Sequence, residues 1–94
     1  MLGAVKKACR VTAAVYDDEL TDLIAAAKAD LALAGVAQNE QSDTDPLIRR
    51  AVITYCRAHF GAPGNYDKLK ASYDEQKAQL QGAVKYRGGD NGEE

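Results

Sequence analysis

One cysteine, the sole histidine of the chain and three arginines share a single short run, DPLIRRAVITYCRAHFG, at residues 45–61. Cys56 and His59 stand three residues apart, which on a helix places them on neighbouring faces. Two chemistries use such a pair: a thiolate nucleophile activated by imidazole, or two ligands of a zinc site. Each needs more than the pair. Zinc takes three or four ligands, and the 94 residues hold one histidine and two cysteines, with the acids mostly in another segment. A Cys/His nucleophile needs an exposed thiolate, an orienting third group and an oxyanion hole, and no residue pattern supplies them. No catalytic residue, metal site or cofactor is therefore expected.

The helix that carries the pair favours packing. Asp45–Pro46 is a start signal, a capping carboxylate followed by a proline at the first helical position. Gly61, Pro63 and Gly64 stop the helix, predicted over 46–60. Stepping about 100° per residue puts Ile48, Val52, Tyr55 and His59 in one narrow sector. Ala51 and Cys56 flank that sector, and Ile53 and Phe60 extend it. Such a helix belongs at the centre of a bundle, with Cys56 and His59 facing the core. Arg50 and Arg57 lie opposite, seven residues apart, with Arg49 beside them.

This stripe of Arg49, Arg50 and Arg57 has three readings. It can be solvated or paired with the acids of another helix. It can meet a subunit or partner, because the guanidinium fork binds carboxylates bidentately. It can bind nucleic acid, although a chain of net charge −2 lacks the basic footprint of a duplex binder. Five tyrosines could stack bases, but Tyr55, Tyr66 and Tyr73 fall on apolar stripes and are expected in the core.

The remaining elements are helical. Leu2, Val5, Ala8 and Cys9 share a face over residues 2–10, and RVTAAVYD connects onward. Helix 17–34 opens with Asp17 or Asp18 as cap and carries Leu20, Leu23, Ile24, Ala27, Leu31 and Ala34 at intervals of three and four. Gly35 suits its C-terminal cap. A polar loop follows over 36–44. Asn65 can cap a last helix with Tyr66, Leu69, Tyr73, Leu80 and Val84 on one stripe, interrupted by Gln76. The expectation is an all-α small bundle: three main helices plus a short N-terminal one. Residues 1–87 form the domain, and 88–94 form a flexible acidic tail.

Charge is segregated along this chain. Residues 1–16 carry three bases and no acid, 17–45 carry eight acids against Lys28, and 46–87 carry eight bases against three acids. Opposite poles suit head-to-tail self-association. No segment approaches the roughly 20 apolar residues that span a bilayer, and MLGAVKKACR lacks the apolar run of a signal peptide. Two cysteines make no secreted disulfide framework, so free thiols are expected. Phosphate-binding, dinucleotide, zinc-protease and serine-hydrolase motifs are absent, and GDNGEE lacks the ligand spacing of a calcium loop.

The order of segments adds a resemblance. DDELTDLIAAAKADLALAGV, then a polar loop, DPLIRRAVITYCRAHFG and NYDKLKASYDEQKAQLQGAVKYR together resemble the tailed-phage head–tail connector family, the adaptor or head-completion, DNA-packaging proteins. The likeness runs from about Tyr16 to Arg87, and the N-terminal stretch follows it loosely. It implies a non-enzymatic virion protein at the head–tail interface. Copies would form a ring under the portal protein, matching its symmetry and extending a channel through which DNA passes without specific binding. A downstream tail-completion protein would dock on that ring. Membranes would play no part. Synthesis would be in a bacterial host's cytoplasm, from a phage or a prophage. The resemblance also implies portal contact by the segment after the last helix, here Val84, Lys85, Tyr86 and Arg87. The alternative is a small helical nucleic-acid-binding module using the arginine stripe.

Overall fold

A computed structural model describes residues 1–37 and 44–83. Four α-helices follow one another: α1 (Leu2–Ala8), α2 (Asp17–Leu33), α3 (Pro46–His59) and α4 (Tyr66–Gly82), with a 3-10 turn at Ala14–Tyr16 before α2. No strand occurs among the described residues. The expected tail 88–94 and the middle of the 36–44 loop lie outside the described residues.

Helix α3 is the hub, touched by α1, α2 and α4. Its Ala51, Val52 and Cys56 have no exposed surface, and Ile48 is nearly as buried. Against them pack Val5 of α1, Leu20, Ile24, Ala27 and Leu31 of α2, and Tyr73 and Leu80 of α4. The α2 residues recur at the helical interval that forms a single stripe. Burial of each large aliphatic chain contributes about 1.5–3 kcal/mol, so a domain this small depends on nearly all of them.

The helix ends show which local signals operate. Asp45 caps α3, its carboxylate accepting from the backbone N–H groups of Leu47 and Ile48 at 2.9 and 3.2 Å. At the end of α2, Gly35 takes φ +92°. There the N–H of Val36 reaches Leu31 O and that of Gly35 reaches Ala32 O, the paired bonds of a Schellman cap.

Two expected caps do not form. The 3-10 turn runs directly into α2, leaving Asp17 helical and Tyr16 at the N-cap position. The Asp17 carboxylate instead pairs with Lys6 Nζ at 2.7 Å and ties α1 to α2. Asn65 precedes α4 with no side-chain hydrogen bond. Its carbonyl accepts from Leu69 N–H.

His59 and Tyr66 also depart from expectation, since both are exposed. Helices α1 and α2 press on the side of α3 that holds Val52 and Cys56, so the buried face is rotated away from His59. The imidazole closes an aromatic seam instead. Tyr73 meets Tyr55 edge-on at 5.2 Å, Tyr55 lies 4.3 Å from His59, and His59 meets Tyr66 edge-on at 5.8 Å. These contacts zip α3 to α4 near their connection.

Candidate interaction surface

The arginines of α3 edge the groove between α3 and α4. Arg49, Arg50, Ile53 and Arg57 on one side face Ser72 and Gln76 on the other across an open cleft of about 490 Å³. Towards the start of α3 the cleft continues past Arg50 and Gln76 to half-exposed Leu47 and to Leu80. Arg57 also borders a second cleft of about 230 Å³, with Arg10, Phe60 and Pro63.

Arg50 and Arg57 are exposed, and among the described residues no carboxylate pairs with either of them or with Arg49. Arg49 Nε and Gln76 Oε1 are buried without a hydrogen-bond partner among the described residues. Thr54, which also lines the cleft, spends its hydroxyl on Arg50 O at 2.9 Å. A buried donor and a buried acceptor left open in one cleft are costly in isolation, and a polar ligand would satisfy them.

The acids among the described residues are engaged elsewhere or exposed. Asp30 Oδ2 accepts from Tyr73 Oη at 2.6 Å and from Lys77 Nζ at 3.1 Å, linking α2 to α4. The tyrosine hydrogen bond, aided by Lys77, holds the Asp30 carboxyl below the usual range. Asp74 pairs with Lys70 at 2.8 Å. On the outer face of α2, Asp18, Glu19 and Asp22 are exposed. Ala25, Ala26 and Ala29 follow, and the face ends at Leu33, which is 89% exposed. Among the described residues, no ion pair joins the arginine stripe to α2.

Cys56 is fully buried, and burial pushes its thiol up to about 12. Burial also raises the half-buried Cys9 thiol, opposed by the charge of Arg57. Among the described residues no group of three or more His, Cys, Asp or Glu side chains could hold a metal ion. No helix there is long and apolar enough to cross a membrane. Val84, Lys85, Tyr86 and Arg87 lie outside the described residues.

A family model described as Phage connector protein matches residues 1–87. The chain belongs to the phage connector protein family. The match begins at residue 1, so the N-terminal stretch, whose likeness to the family is loose, is part of the family's pattern. No curated protein and no solved structure matches this connector. Membership makes it a structural phage protein and a virion component that meets other parts of the head or tail. The outer face of α2 is the feature that sequence reasoning missed. Its signal was present in the alternation of Ala25, Ala26 and Ala29 with the buried stripe.

Proposed function

We propose that the connector assembles as a closed ring beneath the portal, extends the DNA channel and presents a docking surface to a downstream tail-completion protein. One observation carries this reading: a connector-family chain has an open arginine cleft that no acid among the described residues pairs with. Arg49, Arg50 and Arg57 are then contacts with a neighbouring subunit or partner. Ring closure requires a heterologous contact, and segregated charge suits one. Val84, Lys85, Tyr86 and Arg87 are proposed to contact the portal, where a tyrosine and two cations make suitable anchors. Mixing the connector with its portal and imaging by negative stain is the test. Rings on the portal are expected, and bare portals at saturating connector would overturn the reading.

The exposure of Arg50 and Arg57 favours one alternative, a nucleic-acid-binding module. It predicts DNA affinity that falls steeply with salt. The acidic face of α2 works against it, since like charge repels the phosphate backbone.

A further inference from the structure

The arginine cleft and the outer face of α2 share no residue, carry opposite charge and have no ion pair to each other or to another group among the described residues. Among the described residues, the ion-paired acids go to lysines: Asp17 to Lys6, Asp30 to Lys77 and Asp74 to Lys70. There, Asp18, Glu19 and Asp22 form the one run of exposed acids without such a pairing within a single helix end, the first turns of α2, with Asp67 and Glu75 separate on α4. Arg49, Arg50 and Arg57 on α3, and Arg10 after α1, have no such pairing among the described residues either. We propose that the cleft between α3 and α4 receives the outer face of α2 from a second copy of this chain. This rests on the ring reading and names the two surfaces that would meet.

Shape and chemistry agree with that occupant. Beyond its acids, the α2 face presents Ala25, Ala26 and Ala29, small side chains that let a helix approach a groove closely. The face ends at Leu33, and the cleft has a matching apolar end at Leu47 and Leu80. Arg50 and Arg57 lie about 10 Å apart along α3, two helical turns. Asp18 and Asp22 are about 6 Å apart on α2, so long arginine side chains can bracket them. Carboxylates in the cleft would satisfy Arg49 Nε, which has no hydrogen-bond partner among the described residues. Because donor and acceptor surfaces differ, each copy keeps one of each free for the next, and the contact repeats head to tail.

Charge reversal tests the pairing. The substitutions Arg50→Glu with Arg57→Glu, and separately Asp18→Lys with Asp22→Lys, change exposed positions only. Circular dichroism checks that each variant is folded. Sedimentation velocity across a concentration series at low ionic strength reads self-association. Wild-type connector is expected to form larger species as concentration rises, weakening as salt screens the contact. Each double reversal is expected to weaken association at least tenfold. The chain carrying all four substitutions, and an equimolar mixture of the two double variants, are each expected to regain it. A wild-type chain that stays monomeric throughout overturns the pairing. So does association unchanged by either reversal, or a four-fold variant that fails to recover. Loss of salt-dependent duplex DNA binding on Arg50→Glu with Arg57→Glu, with self-association intact, would assign the cleft to DNA instead. The ring reading is judged apart, by the wild-type connector on its portal, so rings can persist while this pairing fails.

Discussion

A thiol with no exposed surface, its titration pushed up to about 12 by burial, stays protonated across the physiological range. Native connector should therefore modify at Cys9 first, with Cys56 reacting only as the bundle opens, and mass spectrometry of timed thiol labelling reads that order. Fast labelling of Cys56 in the folded state would contradict its burial. The periodicity of α3 foretold this packing role for Cys56, because it depends on spacing alone. It misplaced His59, because which side of the apolar arc is covered depends on where α1 and α2 dock. Arg10 was equally illegible. It ends α1 at φ +59°, where Arg10 N–H bonds Lys7 O and Val11 N–H bonds Lys6 O, a cap that usually employs glycine. A side chain in that conformation is strained, so Arg10→Gly should raise stability by about 0.5–1 kcal/mol in urea unfolding.

Helix boundaries were read best where a side chain fixes the backbone directly. Asp45–Pro46 and Gly35 act at their own positions, and α3 and α2 begin and end where these residues place them. Asp45→Ala leaves the N–H groups of Leu47 and Ile48 without their acceptor and should cost about 1 kcal/mol, read as a lower melting temperature. Asp17 and Asn65 carry the same capping chemistry yet do not cap. Asp17 is drawn off by Lys6 of another helix, a contact made across a ten-residue gap that local pattern does not encode. The 3-10 turn at Ala14–Tyr16 was also hidden. Its exposed Tyr16 meets Phe60 edge-on at 5.5 Å, a tertiary reason for the chain to bend there.

At the scale of the whole connector, α2 and α4 are joined by a polar strap as well as by the core. Asp30 of α2 reaches Tyr73 and Lys77 of α4, while Gln81 of α4 donates to Ala34 O at the end of α2. The Asp30 carboxyl is held below its ordinary range in the folded chain, chiefly by the Tyr73 hydroxyl. A group lowered on folding contributes stability that is fully present above its unfolded value, about 3.9 for Asp, and is lost as pH falls through the folded value. Acid should therefore loosen the α2–α4 contact below about pH 4. Tyr73→Phe removes the hydroxyl while keeping the buried ring. It should cost roughly 1 kcal/mol at neutral pH, at the low end for a bond to a charged group because Asp30 is 37% exposed. The difference between wild type and Tyr73→Phe should shrink as pH falls, because a protonated Asp30 loses the charge that strengthened the bond. Urea unfolding of both chains from pH 7 down to pH 3 measures this, and a constant gap across that range would show that the strap does not depend on the Asp30 charge.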